Sequence, residues 1–210
     1  MIFEFREDIH EYKVDGVRVP SVTEILREWI EIEIYGTKYF VNINNGVAIP
    51  SEQFRRLQEF GRAVHKGGKF ILKGLGLNWS ALADSLKESL KQLQKWVEEF
   101  RAKPVLVEEP LYSKIYGYAG TPDFIGHIKG NKFLTIVDIG TGMLTMKGYQ
   151  TSAYEQLFRE NERYRGKIER VALSVPRNGD SYKPIPLNNR KDWKLFYSKF
   201  YIWKEGEVRQ

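Results

Sequence analysis

The stretch Lys132-Phe133-Leu134-Thr135-Ile136-Val137-Asp138-Ile139-Gly140-Thr141-Gly142 decides how this chain is read. Gly130-Asn131 reads as a turn, and the apolar, β-branched run that follows reads as a strand over Lys132–Ile139. One acid, Asp138, interrupts that run. A carboxylate is costly to bury alone, so an acid in such a run faces a cleft or a charged partner more often than core. Working outward, Gly120-Thr121-Pro122-Asp123 falls within the preceding strand, read as Tyr118–Lys129, and Val105-Leu106-Val107 opens the strand before it. Short turns at Tyr116-Gly117 and Gly130-Asn131 make these successive antiparallel neighbours. Asp123 and Asp138 then lie on adjacent strands. Two carboxylates brought together repel unless a cation lies between them, and hard oxygen ligands suit Mg²⁺ or Mn²⁺. Phosphodiester hydrolysis uses that arrangement: the metal neutralises the phosphate and lowers the pKa of a bound water. The strand period of two places residue 140 on the face of Asp138. A lysine there would reach the same phosphate, and the residue is Gly140.

The rest of the chain supplies the layers around these strands. A helix is expected from Lys147 to Tyr164, a buried strand over Ile168–Val175 and a last helix from Asn188 to Trp203. Upstream, Leu82, Leu86, Leu90, Leu93, Val97 and Phe100 make one apolar stripe on a helix from about Ser80 to Arg101. Phe54, Leu57, Gly61, Val64 and Ile71 recur at helical spacing after Ser51, which is expected to cap that helix, and Gly74-Leu75-Gly76 ends it. Residues 31–50 read as irregular or short strand structure. Ser21-Val22-Thr23-Glu24 is a capping box, predicting a helix with Ile25, Leu26 and Trp29 on its apolar face. His10–Val14 and Val17–Val19 flank Asp15-Gly16, a hairpin turn signal. The expectation is a single α/β domain over residues 1–210 with a mixed central sheet. Residues 1–103 form a hairpin and helical elaboration, and 104–210 the sheet core.

Composition narrows the classes. The chain has 210 residues, 42% hydrophobic and 14% aromatic, enough for a substantial core. Its net charge of +6 fits a polyanionic partner without requiring one. With no cysteine, disulfide frameworks, thiolate zinc sites and cysteine-ligated clusters are excluded. No apolar run approaches the roughly 20 residues of a membrane span, and Met1–Asp8 lacks the order of a signal peptide. A soluble, cytoplasmic protein is expected, with no membrane partner.

In order along the chain, further pieces join the two acids. They are Gly61-Arg62-Ala63-Val64-His65, Val107-Glu108-Glu109-Pro110, Gly120-Thr121-Pro122-Asp123, Val137-Asp138-Ile139-Gly140-Thr141-Gly142 and Gln150-Thr151-Ser152-Ala153-Tyr154. Together they resemble the RecB-type branch of the PD-(D/E)xK nuclease superfamily over residues 10–175 or so. Tyr12-Lys13-Val14-Asp15-Gly16 through Pro20–Leu26 is similar to phage and viral exonucleases of this type. The resemblance implies a restriction-endonuclease-like core and a metal-dependent DNA exonuclease acting on single-stranded or end-processed DNA. Its setting would be recombination, repair or replication, in a virus or mobile element. By position it implies that Asp123, Asp138, the Ile139 carbonyl and His65 hold Mg²⁺ or Mn²⁺. Glu108 would bind or orient the metal water, with Glu109 as its alternative, and Arg62, Gln150 and Tyr154 would contact DNA or brace the site.

The departure from the pattern is Gly140, where the motif carries lysine. Three readings fit it: deliberate removal of the lysine, its migration to Lys147 at the start of the next helix, and a natural catalytically silent DNA-binding module of the same fold. Taken singly, His65, Glu108, Gln150 and Tyr154 have bland readings as surface, solvated or packing residues. Lys66, Lys69, Lys73, Lys87 and Lys91 suit a solvated face or a strand channel. Tyr112, Tyr116 and Tyr118 suit base stacking or cross-strand packing.

Overall fold

The computed structural model describes residues 1–142 and 144–208, with side chains through residue 206. Three antiparallel strands open it: β1 (Phe3–Arg6), β2 (Glu11–Val14) and β3 (Val17–Val19). Asp15 and Gly16 turn the expected hairpin with φ of 49° and 79°, the pair of positive angles a type I′ turn needs. The Ser21 hydroxyl accepts the Glu24 N–H at 3.0 Å and caps α1 (Val22–Ile25). This helix is a single turn, and Trp29 does not share its face. Trp29 instead starts β4 (Trp29–Ile34), where the period-two alternation of isoleucine and glutamate prevails. β4 pairs with β5 (Thr37–Asn42), and β5 with β6 (Ala48–Pro50). Residues 31–50 are therefore ordered sheet. Their turn, Tyr35-Gly36, has φ of 50° and 76°, and a tyrosine gives no signal for such a turn. The N-terminal elaboration is thus as much sheet as helix.

Two helices follow, α2 (Ser51–Leu72) and, after a 3₁₀ turn at Trp79–Ala81, α3 (Asp84–Glu99). Pro50 takes the cap position of α2, and Ser51 lies inside its first turn without capping it. Then come β7 (Lys103–Leu106), the short pair β8 (Leu111–Tyr112) and β9 (Ala119–Gly120), β10 (Phe124–His127) and β11 (Leu134–Gly140). The single strand expected over Tyr118–Lys129 is broken at Thr121-Pro122-Asp123, where Pro122 has no N–H to give a ladder. Asp123 lies in this break, at the mouth of β10 and not on it. α4 (Lys147–Asn161), β12 (Ile168–Ser174), β13 (Lys183–Pro186) and α5 (Asp192–Val208) complete the chain. β13 was not legible because Pro184 and Pro186 argue against a strand; it is tolerated as an edge. No helix among the described residues is long and apolar enough to cross a membrane.

The central sheet runs β13-β12-β11-β10-β7, with β11 and β12 parallel and the other pairs antiparallel. Helices cover both faces. Alternation along β11 sends Val137 and Ile139 towards Val64 of α2 and Leu90, Leu93 and Trp96 of α3. Leu134 and Ile136 face Leu157 and Phe158 of α4 and Phe196 and Phe200 of α5. By the same parity Asp138 and Gly140 face α4. The leucine stripe on α3 is core as expected, with Trp96 at its centre, 1% exposed.

Gly120 is where the layers close most tightly. A Cβ there would lie 2.7 Å from Tyr154 Cε1, 3.0 Å from Val22 Cγ2 and 3.2 Å from Leu157 Cδ1. Three elements converge on that point, so none relaxes without moving another. Gly120→Ala is expected to lower stability in chemical denaturation by about 1–3 kcal/mol, the usual cost of overpacking. Gly76→Ala, with nothing within 4 Å of the added carbon, is expected to stay within about 0.5 kcal/mol of the parent.

Candidate active site

Four elements bring the sequence-predicted residues to one end of the sheet. α2 delivers His65, whose Nδ1 lies 2.9 Å from Asp123 Oδ1 and 3.7 Å from Glu108 Oε1. One ligand atom from each of His65, Glu108 and Asp123 lies within 4.8 Å of the other two. The break before β10 aims Asp123 inward, and its Oδ2 accepts the Ile139 N–H at 2.6 Å. That bond locks the carboxylate to β11 beside Asp138. Glu108 has a left-handed backbone, φ 50°, with its N–H bonded to the Pro122 carbonyl at 3.1 Å. A non-glycine residue held there costs of order 1–3 kcal/mol and marks a functional position often enough to be noted. This kink separates the two glutamates: Glu108 lines the cleft, and Glu109 is exposed and does not.

Asp138 is 1% exposed and stands outside the His65–Glu108–Asp123 cluster. Its partner is Lys147, the first residue of α4, whose ammonium contacts Asp138 Oδ2 and donates to the Ile139 carbonyl at 3.1 Å. Gly140 is the neighbour of Lys147 at the end of β11. A Cβ on Gly140 would lie 3.4 Å from Lys147 Cε and 3.9 Å from its Nζ, and 2.5 Å from Leu144 Cδ2. A side chain at 140 would thus run into Leu144 and come into ordinary contact with Lys147. The Ile139 carbonyl, implied as a metal ligand by the sequence resemblance, is engaged by Lys147.

His65, Glu108, Asp123 and Lys147 line a cleft of about 800 Å³ together with Arg62, Lys66, Lys69, Gln150 and Tyr154, while Asp138, Ile139 and Gly140 lie behind its wall. Gln150 Nε2 donates to the Tyr154 hydroxyl at 2.9 Å, which braces the pair one helical turn apart. Lys73, Lys87 and Lys91 do not line it, and Lys87 and Lys91 pair with Asp84 and Glu88. Tyr118 is core, fully buried with its hydroxyl on the Ala153 carbonyl. The sequence reading missed the opposite wall, which β1 and the turn after it supply through Phe5 and His10. The signal lay in aromatic alternation along Phe3, Phe5 and Tyr12, which stack at 6.2 and 4.6 Å.

Electrostatics follow from the crowding. Burial works to raise the Asp123 pKa, but the charge and hydrogen bond of His65, with Lys147 and the Ile139 N–H, hold it below the ordinary value. The Asp123 charge in turn pushes His65 up to about 10 against desolvation. Burial pushes Asp138 up to about 6 in spite of Lys147, and burial and the Asp123 charge raise Glu108. For Lys147 desolvation is outweighed by Asp138 and Asp123, so it stays charged. His65 and Lys147 therefore offset part of the negative charge that Asp123, Glu108 and Asp138 bring to this end of the sheet. An imidazole nitrogen with two carboxylate oxygens this close is a donor set that fits Mg²⁺ or, better, Mn²⁺. A pKa raised by folding adds stability that is complete below the unfolded value and is lost as pH climbs through the folded one. For His65 that window runs from its ordinary 6.5 to about 10. The thermal midpoint in chelator is expected to fall across this window, and to fall less in His65→Gln; an equal fall in the two proteins would show that His65 is not the group responsible.

Compared with known proteins, the chain matches no family model and no curated sequence.

Proposed function

We propose that this chain is a metal-dependent nuclease of the PD-(D/E)xK kind, with a restriction-endonuclease-like core, that hydrolyses DNA phosphodiester bonds from single-stranded or processed ends. The observation that carries the reading is the meeting of Lys147 with the acids. Its ammonium lies against Asp138 and the Ile139 carbonyl, beside Gly140, on the edge of a cleft holding His65, Glu108 and Asp123. That is the charge set of the resemblance with the lysine brought in from α4.

The residues divide the work as follows. His65, Glu108 and Asp123 would hold Mg²⁺ or Mn²⁺, which when bound supplies Lewis acidity towards the phosphate and lowers the pKa of water. Asp138 holds Lys147, and Lys147 aims a permanent positive charge at the place where negative charge develops on the phosphate. Glu108, beside His65, would bind the metal or orient its water. Arg62 and Lys66 lie along one wall of the cleft and suit the flanking phosphates, with Lys69 beside them paired to Glu7 at 3.1 Å.

A second reading, a catalytically silent DNA-binding module, draws on the same contact. Lys147 ties up both Asp138 and the Ile139 carbonyl, which leaves only part of the implied ligand set for a metal. Hydrolysis of end-labelled single-stranded DNA with Mn²⁺ separates the two. The parent protein is expected to cut, Lys147→Ala to lose about 10²–10³-fold in kcat, and Asp123→Ala to lose cutting and Mn²⁺ affinity together. Gly140→Lys is expected to gain nothing and to lose stability, because Leu144 already fills its space and the Lys147 ammonium already stands there. Binding of DNA without cutting by both the parent and Gly140→Lys would establish the silent module instead.

A further inference from the structure

The active-site cleft does not end at its own walls. A second groove of about 650 Å³ adjoins it, and His10 and Thr23 line both. α2 backs the two along its length: Phe54 and Gln58 face the second groove, and Arg62, His65, Lys66 and Lys69 face the cleft. From Phe54 to Lys69 that wall spans about 22 Å at 1.5 Å per residue. The floor of the second groove is aromatic. Trp29 of β4 lies 4.9 Å from Phe54, and Phe40 of β5 stacks on Phe54 at 4.3 Å. All three rings are half-buried and line the groove.

The polar rim is asymmetric. Glu24 is paired with Arg18 at 2.8 Å, and Glu28 accepts from the neutral Asn44 amide at 2.5 Å and keeps its charge. Arg27 uses Nε on the Trp29 carbonyl at 2.9 Å, and no carboxylate among the described residues pairs with it. Arg27 is exposed, and it lines the groove with Arg18, Glu24 and Glu28. At the junction His10 is held at φ 51°, an exposed residue in a left-handed conformation.

We propose that this groove is a subsite for single-stranded DNA. It would take the nucleotides next to the scissile phosphate, with an unpaired base on the Trp29–Phe40 platform and a phosphate on Arg27. The inference rests on the nuclease reading of the cleft. Aromatic faces with an arginine beside them bind single strands with little sequence preference, and a base can stack on them only when it is unpaired. Paired ends therefore gain nothing from this groove. It also gives β4–β6 a purpose beyond covering one end of α2.

The test is fluorescence anisotropy with labelled oligothymidylates from about three to about twelve nucleotides, in chelator, with a blunt duplex of matched length alongside. Affinity of the parent protein is expected to climb at least tenfold between the shortest strands and those long enough to reach Trp29. Each stacked base is worth about 1–3 kcal/mol, so Trp29→Ala should remove about fivefold to a hundredfold of that gain, and Trp29→Phe should keep most of it. Arg27→Ala should weaken long strands and reduce the salt dependence of their binding. The same gain in Trp29→Ala as in the parent overturns the subsite, as does an equal gain for the blunt duplex. If that result comes with Mn²⁺-dependent cutting intact in the parent, the nuclease reading stands and the subsite alone falls. Absence of both cutting and binding at every length would remove the two together.

Discussion

Asp138 lies on the central strand, almost fully buried, and its charge is met by one lysine from the helix that follows. The rest of the site is arranged around that need. A buried pair of this kind is a weak source of net stability, yet removing one partner leaves the other charged in a low-dielectric setting at a cost of about 3–5 kcal/mol. The first turn of α4 is therefore tied to the end of β11. Gly140 lies next to the Lys147 side chain, and Leu144 closes over the spot a Cβ would take. The neighbouring acid, Asp123, takes the other solution and finds its compensation in His65 and the Ile139 N–H. Two acids side by side are thus held apart electrically by cations from opposite layers, α2 on one face and α4 on the other.

Much of this was legible because apolar periodicity and charge cost are local. The run Leu134–Ile139 announced a strand, and Asp138 within it announced a partner. The stripe on α3 announced a layer, and Gly61 to His65 announced which turn of α2 meets the acids. Lys147 was legible only as an alternative to a missing residue, since nothing in the sequence measures the distance from the start of a helix to a strand end. Glu108 could not be separated from Glu109 by pattern: its backbone kink decides which carboxylate enters the cleft, and a glutamate does not advertise a positive φ. Asp123 was placed on a strand that Pro122 in fact interrupts.

The elements that escaped the sequence share one cause, which is that their signals point to something else. Tyr35-Gly36 makes a hairpin turn at a residue type that rarely adopts it. Pro184 and Pro186 sit on an edge strand where their missing N–H groups face away from the ladder. Trp29 continued an apparent helical face and instead joined an aromatic cluster with Phe40 and Phe54. In each case packing against a neighbouring element outweighed local preference. The N-terminal sheets matter to the site for this reason. β1–β3 supplies a wall of the cleft through Phe5 and His10, and β4–β6 continues it.

The position of Lys147 also violates a local rule. It is the first residue of α4, and no acidic residue stands in that first turn to offset it. The positive end of the helix dipole disfavours a cation there by a few tenths to about one kcal/mol. Met146 in the cap position makes no side-chain bond to the exposed N–H groups. A sequence shaped for stability alone would place an acid at the start of this helix and an apolar side chain opposite it on β11. The chain carries the reverse, a buried acid on the strand and a cation at the helix start. Each is unfavourable by itself and tolerable only because the other is present. Local rules broken in compensating pairs are what a functional site leaves behind when its charges must be kept for chemistry. By this argument Lys147 and Asp138 are better explained by a role in a site, which under the proposed nuclease reading is to set charge beside a phosphate, than by what they do for the fold.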